Sequence, residues 1–195
     1  MEVGFSMKTL INFLKESLKI EGIFREPTTA EIDATITFLA LPVPQTQHVI
    51  ELVKVYAPNA SLRDKPWMNI RIGNHVPPGG GNQILPKLET ILRLAQVGVN
   101  PHYVHVQYEL LHPFTDGNGR SGRTLWLWQM NGKAPLGFLH KFYYQTLDAA
   151  YKRPYTPSAA DVVRIDAGTM TLLAPSAMTT YSAIEAEDKP HIKVF

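Results

Sequence analysis

Residues 112–123 have the sequence HPFTDGNGRSGR, and an apolar run follows them directly. The leucines, tryptophans and methionine between Ser121 and Met130 predict a helix that ends at Asn131-Gly132. The glycine-containing turn is therefore expected at the N terminus of this helix. Free N–H groups and the macrodipole favour negative charge at such a position.

Each residue type in this stretch suits a bound polyphosphate. Gly117-Asn118-Gly119 can adopt backbone conformations that most residues avoid, so that successive N–H groups converge on an anion. Arg120 and Arg123 are three residues apart, share a helix face and can bind phosphate oxygens. Asp116 offers a hard oxygen ligand for Mg²⁺. His112, with an unperturbed pKa of about 6.5, suits proton abstraction near neutral pH.

The order of these residues resembles the signature of the Fic family, His-Pro-Phe-x-(Asp/Glu)-Gly-Asn-Gly-Arg-x-x-Arg, and every specified position is filled. The resemblance implies a mainly helical, all-α Fic fold. It also implies a protein adenylyltransferase, which transfers AMP from ATP to a Ser, Thr or Tyr hydroxyl of a target protein. By the same resemblance His112 is the base, Asp116 holds Mg²⁺ and Phe114 anchors the loop. The implied phosphate-binding residues are Gly117, Asn118, Gly119, Arg120 and Arg123.

Apolar residues between positions 7 and 21 recur at helical spacing and predict an amphipathic helix. Ser17 and Glu21 are four residues apart and lie on one face of it. The segment SLKIEG at residues 17–22 resembles the inhibitory (Ser/Thr)-x-x-x-Glu-(Gly/Asn) motif of Fic proteins. The resemblance implies that Glu21 pairs with Arg123 and blocks productive binding of the γ-phosphate. A solvated carboxylate near a helix end is the alternative interpretation.

Apolar periodicity and helix start and stop signals predict further helices. They are expected from residue 28 or 29 to about 39, and at 48–56, 84–96 and 102–111. The last of these leads directly to His112. His102 and His105 have no carboxylates at metal-ligand spacing beside them, and we interpret both as structural.

Residues 69–78 alternate in polarity around Gly73-Asn74, which predicts a short β-hairpin. Its position resembles the β-hairpin flap of Fic proteins, which lies over the active site and pairs with the main chain of the target. An ordinary surface hairpin is the alternative. The residues implied in target binding are Ile70, Arg71, Ile72, His75 and Val76.

A helix rich in aromatic residues is predicted at 135–147, where Fic proteins pack a helix beside the adenine pocket. Tyr143, Tyr144 and Leu147 are therefore candidates for contacts with the base. Core packing is the alternative role for at least two of them.

The resemblance divides the chain into a Fic domain at residues 1–153, including the inhibitory helix at about 7–22, and an extension of unknown role at 154–195. Residues 162–173 of this extension could form a hairpin, and hence a small β appendage. An oligomerisation arm and a poorly ordered tail are the alternatives.

Composition excludes several classes of function. Hydrophobic residues make up 45% of the chain, enough for a substantial core, and the absence of cysteine excludes disulfides and thiolate chemistry. The net charge is +2 and no basic recognition helix is present, which argues against nucleic-acid binding. Without a signal-like start or a bilayer-spanning apolar run, a soluble cytoplasmic protein with no membrane partner is expected.

The resemblance to Fic proteins thus implies an autoinhibited protein adenylyltransferase with ATP as co-substrate and Mg²⁺ as cofactor. A target protein is the expected partner, and homo-oligomerisation is left open. One alternative is removal of AMP from a modified protein at the same site, with Glu21 positioning water. Another is a nucleotide-sensing module with vestigial catalysis. The undamaged signature disfavours the latter, because binding alone has no need of His112.

Overall fold

In a computed structural model of the chain, residues 6–72, 75–133, 164–166 and 169–171 are described. The predicted mainly helical fold is confirmed in this part of the chain. Its helices are α1 (Met7–Ile20), α2 (Thr29–Leu39), α3 (Thr46–Tyr56), α4 (Ile84–Gln96), α5 (Pro101–Leu111) and α6 (Asn118–Gln129).

The helix starts follow local sequence signals. The Ser6 hydroxyl accepts a hydrogen bond from the first turn of α1. Thr28 and Glu31 form a reciprocal capping box at the start of α2. Asn100 caps α5 and Pro101 occupies its first turn, where a missing N–H costs nothing.

Two predicted helix starts lie too far along the chain. α3 begins at Thr46 rather than at residue 48, and α6 begins at Asn118 rather than at Ser121. Gly117, with a φ of 77°, is the N-cap of α6. Gly117 is therefore the member of the predicted turn that needs a left-handed backbone, and Asn118 and Gly119 already belong to the helix.

α6 is the central helix, because it packs against each of the other five. Its apolar side chains Leu125, Trp126 and Leu127 join the main hydrophobic core. A helix buried on all sides is normally apolar, yet α6 also buries polar and charged groups, which need partners inside the protein. These residues are Asn118, Arg120, Ser121, Arg123 and Thr124.

The predicted β-hairpin at residues 69–78 is not present as paired strands in its described part. Ile72 and His75 form an isolated antiparallel bridge, with N–H to carbonyl distances of 2.9 and 2.8 Å. One bridge closes a turn, but it does not extend into the ladder that a hairpin flap requires. The flap remains a prediction.

The chain divides into two units, Met1–Tyr155 and Thr156–Phe195. The second unit contains strand β1 (Arg164–Asp166), which pairs antiparallel with β2 (Thr169–Thr171). The pairing falls within residues 162–173, where the sequence predicts a hairpin. Tyr143, Tyr144 and Leu147, the candidates for adenine contacts, lie outside the described residues.

The Tyr56 hydroxyl links three helices in the core. It lies 2.7 Å from Thr35 Oγ1 of α2 and 3.0 Å from Thr124 Oγ1 of α6. The two threonine hydroxyls also contact the main-chain carbonyls of Glu31 and Arg120, respectively. Burial raises the pKa of Tyr56, so the phenol remains protonated and can donate to this network.

We expect Tyr56→Phe to lower the free energy of unfolding by about 1–2 kcal/mol, because it leaves the buried threonine hydroxyls with one partner fewer. Urea denaturation followed by circular dichroism measures this loss. A variant as stable as the unaltered chain would show that the hydroxyl network contributes nothing net.

Candidate active site

His112 ends α5 in a left-handed backbone conformation, with φ 47° and ψ 64°. Its N–H donates to the Tyr108 carbonyl at 2.9 Å, which caps the helix. This conformation costs a residue with a Cβ roughly 1–2 kcal/mol, so the surrounding contacts must hold it in place. The chain direction changes at this point, from α5 into the loop that precedes α6.

The imidazole of His112 is neutral at neutral pH. Burial lowers its pKa to about 4; the contact with the Glu109 carbonyl opposes this shift, and the nearby Arg63 cation adds to it. Nδ1 lies 3.3 Å from that carbonyl oxygen, a contact that requires the proton on Nδ1. Nε2 then carries the free lone pair and can accept a proton.

The loop after His112 is held by Asn118 rather than by its own glycines. Asn118 Oδ1 accepts from the Phe114 N–H, and Asn118 Nδ2 donates to the Phe114 carbonyl, both at 2.8 Å. The Phe114 ring is buried and anchors the loop in the core. The side chain of Asn118 thus shapes the turn, while its N–H belongs to the first turn of α6.

The N terminus of α6 is the predicted anion site. The N–H groups of Asn118, Gly119 and Arg120 stand in the first turn, where an α-helix leaves them without intrahelical partners. The Gly117 N–H donates to Asp116 Oδ1 at 2.5 Å. Asp116 keeps 70% of its side chain exposed, so its carboxylate is accessible to a metal ion.

Gly119 is needed for space rather than for backbone freedom. It has ordinary helical backbone, but a Cβ at this position would collide with Glu21 Oε1 and lie 2.9 Å from Arg123 Nη1. The absence of a side chain lets α1 approach α6 closely. This reason differs from the conformational one that the sequence suggested for the Gly-Asn-Gly turn.

The structure places Glu21 and Ser17 of the N-terminal segment on Arg123. Arg123 Nη2 donates to Glu21 Oε1 at 2.5 Å and to the Ser17 carbonyl at 2.9 Å. Arg123 Nε donates to Ser17 Oγ at 2.8 Å. The Arg123 side chain has no exposed surface, whereas that of Glu21 is 33% exposed. The predicted contact is therefore present; its inhibitory role stays a prediction.

Arg120 has partners of its own, so the two arginines are not a joint clamp in this structure. Its guanidinium donates to the Tyr56 carbonyl and lies 3.5 Å from Asp116 Oδ1. The spacing of three residues correctly puts both arginines near one end of α6, but their heads reach different neighbours. Among the described residues, the guanidinium of Arg123 is hydrogen-bonded to Ser17 of α1, whereas that of Arg120 is not.

Among the predicted target-binding residues, His75 lies against the end of α5. His75 Nε2 is 3.0 Å from the Leu110 carbonyl, two residues before the catalytic candidate. Ile72 and Val76 are exposed large hydrophobics, Arg71 is exposed, and Ile70 is half-buried. The structure thus brings this segment to His112 through His75.

Two residues near His112 were missed by the sequence interpretation. Glu109 is buried with Oε2 3.9 Å from His112 Nδ1, and its spacing of three from His112 on a helix could have revealed it. Arg63 donates to the His112 carbonyl at 2.7 Å. It lies in a loop without periodicity, so the sequence carries no signal for it.

Within the described residues, no group of three or more histidine, cysteine, aspartate or glutamate side chains could hold a metal by itself. The carboxylate of Asp116, the predicted Mg²⁺ ligand, lies beside the first turn of α6 and is exposed. Its role as a metal ligand stays a prediction.

The fold and the site together define a helical protein that presents a neutral histidine beside the N terminus of a buried helix, an arrangement suited to phosphate-containing ligands. The sequence model of the Fic/DOC family matches residues 43–130. This match supports membership of the Fic/DOC family. No curated protein matches the chain.

The family match supports a general statement of function. Fic/DOC proteins are commonly transferases that act on proteins, typically with ATP and Mg²⁺, and the family suggests nucleotidyl transfer in general. The matched residues contain α3 to α6 and the signature, whereas α1 with Ser17 and Glu21 lies before them. No helix among the described residues has the length and hydrophobicity to cross a membrane.

Two histidines make the stability of the fold depend on pH. Burial, chiefly, lowers the pKa of His105 to about 3 and that of His112 to about 4, against 6.5 in the unfolded chain. As the pH falls below 6.5, the unfolded chain takes up these protons first, so the free energy of unfolding decreases until the folded pKa is reached. We expect His105→Gln to reduce this decrease between pH 7 and 4.5, by roughly 1.4 kcal/mol per pKa unit involved.

Urea denaturation at several pH values, with the unaltered chain measured in parallel, provides the comparison. If the free energy of unfolding depends on pH identically in the two proteins, the lowered pKa of His105 does not contribute to the pH dependence of stability.

Gly119→Ala tests the close approach of α1 to α6. Alanine is favoured over glycine in a helix by about 1 kcal/mol, yet here the added Cβ must displace Glu21. We expect the substitution to destabilise the unaltered chain, and to cost about 1 kcal/mol less in a Glu21→Gly background. A double-mutant cycle of urea denaturations measures this difference. Additive effects would show that Gly119 and Glu21 do not compete for space.

Proposed function

We propose that this protein is a protein adenylyltransferase that moves AMP from Mg-ATP to a Ser, Thr or Tyr hydroxyl of a target protein. The hydroxyl oxygen attacks the α-phosphorus, and the bond from that phosphorus to the leaving pyrophosphate breaks. The hydroxyl proton passes to Nε2 of His112. Transfers of this kind depend on in-line positioning and on stabilisation of charge, which the residues below would provide.

The observation that carries the proposal is a neutral His112 one short loop away from the first turn of α6. A base must be unprotonated to accept a proton, and burial keeps this imidazole in that form throughout the neutral range. Its ring is oriented through Nδ1 by the Glu109 carbonyl. A binding-only protein gains nothing from a histidine held in a strained backbone conformation.

Binding of the polyphosphate is assigned to α6 and its two arginines. The N–H groups of the first turn and the helix dipole favour negative charge beside Gly119. Asp116 would share a Mg²⁺ ion with the phosphates. Arg120 and Arg123 would neutralise the remaining charge, Arg123 at the γ-phosphate once it is released from α1.

We propose that Glu21 inhibits this reaction. Its carboxylate occupies Arg123, the cation that the γ-phosphate would need, at a distance of 2.5 Å. It also brings a negative charge next to Gly119, where the phosphates would bind. Like charges at such a distance repel strongly when partly shielded from water, so ATP would seat productively only after Glu21 moves.

The target protein is proposed to bind along the segment that contains Ile72, His75 and Val76. Val76 is 67% exposed, and Ile72 and His75 hold the main chain in an isolated bridge. An extended target segment could add to this main chain and so bring its hydroxyl to His112. Target recognition would then depend mostly on backbone hydrogen bonds.

One observation favours a second reaction, removal of AMP from a modified protein. Only Oε1 of Glu21 contacts Arg123, and among the described residues Oε2 has no hydrogen-bond partner. That oxygen could orient a water molecule beside the phosphate site. Under this alternative the unaltered chain, rather than a Glu21 variant, would be the active form.

The deciding experiment is incubation of the protein with a lysate and Mg-ATP labelled on either the α- or the γ-phosphate. We expect Glu21→Gly to incorporate roughly tenfold or more α-label relative to the unaltered chain, since a tenfold change requires only ~1.4 kcal/mol. Adding His112→Ala should reduce incorporation by about 10²-fold or more, the usual contribution of a general base. Intact mass spectrometry identifies the attached group as AMP.

Glu26→Gly is the matched control, because Glu26 pairs with Lys15 of α1 at 2.8 Å and does not contact Arg123. It should leave α-label incorporation at the level of the unaltered chain. Incorporation of γ-label would instead indicate phosphate transfer. Loss of AMP from a prelabelled protein with the unaltered chain, but not with Glu21→Gly, would support the removal reaction.

A further inference from the structure

Arg63 is a fully buried cation whose described partners are main-chain carbonyls. Its side chain has no exposed surface, and it stands in the loop between α3 and α4. Four carbonyl oxygens accept hydrogen bonds from its guanidinium. Removing a guanidinium from water is costly, and the four carbonyl acceptors offset this cost. We therefore expect Arg63 to have a role in addition to packing.

Two of these carbonyls belong to the end of α5. Arg63 Nε donates to the His112 carbonyl at 2.7 Å and Nη2 to the Leu111 carbonyl at 2.8 Å. The last carbonyls of a helix lack intrahelical partners, and a cation suits the negative end of the helix dipole. Arg63 therefore holds the carbonyl of His112, a residue whose left-handed backbone conformation needs support from its surroundings.

The other two carbonyls flank the segment proposed to bind the target. Arg63 Nη1 donates to the Met68 carbonyl at 3.2 Å and to the Pro78 carbonyl at 3.0 Å. These residues stand on either side of the 69–77 segment, which the structure describes at 69–72 and 75–77. One side-chain nitrogen thus joins both ends of that segment.

The main chain of Arg63 reinforces the same connection. Its N–H donates to the Pro113 carbonyl and its carbonyl accepts from the Gly81 N–H, each at 2.9 Å. A guanidinium is a rigid planar fork, so its contacts cannot shift independently of one another. A displacement of the 69–77 segment is expected to move the His112 backbone, and the reverse.

We propose that Arg63 is a positioning residue that fixes the His112 backbone relative to both ends of the 69–77 segment. A target hydroxyl held by that segment would therefore meet the imidazole at a set distance. The catalytic part of this inference rests on the proposed function. The mechanical part, the coupling of the two segments, stands independently of it.

Two glycines provide a matched pair of tests that leave Arg63 itself unchanged. A Cβ at Gly80 would collide with the Lys65 carbonyl and lie 2.8 Å from the Met68 carbonyl, which Arg63 binds. A Cβ at Gly79 would meet only Asn69 Oδ1, at 3.2 Å. Gly80→Ala should therefore disturb one of the carbonyls that Arg63 holds, whereas Gly79→Ala should not.

Amide hydrogen exchange followed by NMR measures the coupling. The His112 N–H donates to the Tyr108 carbonyl, so its exchange rate reports on the end of α5. We expect Gly80→Ala and Arg63→Lys to accelerate this exchange roughly tenfold or more, with the Leu52 amide of α3 changing less than about twofold. Gly79→Ala should leave both amides as in the unaltered chain.

Equal acceleration at His112 and Leu52 would indicate general destabilisation and would overturn the proposal, as would an unchanged His112 amide in Gly80→Ala. Should Arg63→Lys fail to fold, the two glycine variants decide alone. None of these readouts needs transfer activity, so the coupling can be judged even when the proposed function fails.

The catalytic consequence is measured in a Glu21→Gly background with α-labelled Mg-ATP and a lysate. Arg63→Lys keeps the positive charge, but the single ammonium nitrogen of lysine cannot donate to all four carbonyls that the guanidinium of Arg63 contacts. We expect incorporation at saturating Mg-ATP to fall roughly tenfold or more, with the KM for Mg-ATP within about twofold. A matching loss of nucleotide binding, or no loss of rate, would overturn the positioning role.

Discussion

The buried charge of Arg123 is the constraint on which the rest of the structure depends. Its guanidinium has no exposed surface and sits on a helix that packs against five others. A buried cation without partners would cost several kcal/mol, so acceptors must come from a neighbouring element. Ser17 and Glu21 supply them. The contact that docks α1 onto α6 is therefore the same contact that occupies Arg123 at the candidate phosphate site.

Two glycines in α6 make room for carboxyl groups of neighbouring elements. Gly119 leaves space for the carboxylate of Glu21, and a Cβ at Gly122 would lie 2.8 Å from Glu109 Oε1. Each glycine lowers helix stability by about 1 kcal/mol relative to alanine. The helix is therefore less stable at the two positions where a carboxyl group approaches its backbone closely. The left-handed backbone of His112 likewise lowers stability at a residue of the candidate site.

Local patterns predicted the helices because periodicity and capping are local properties. The predicted bounds of α4 agree with the structure, and the Thr28–Glu31 capping box lies at the expected start of α2. The early start of α6 was not predicted, because the side chain of Asn118 bonds both main-chain groups of Phe114 only in the conformation that the folded protein gives this loop. In the described part of residues 69–78 the expected hairpin appears as a single bridge rather than as paired strands, because alternation of polarity does not by itself supply a partner strand.

The sequence by itself determined the helical class, the chemical groups at residues 112–123 and the face that Ser17 shares with Glu21, because these depend on residues within a few positions of each other. The tertiary structure alone decided that His112 is neutral, that Arg120 and Arg123 have separate partners, and that Arg63 joins His112 to Met68 and Pro78. These properties arise from burial and from contacts between residues as much as 106 positions apart, which no local pattern encodes.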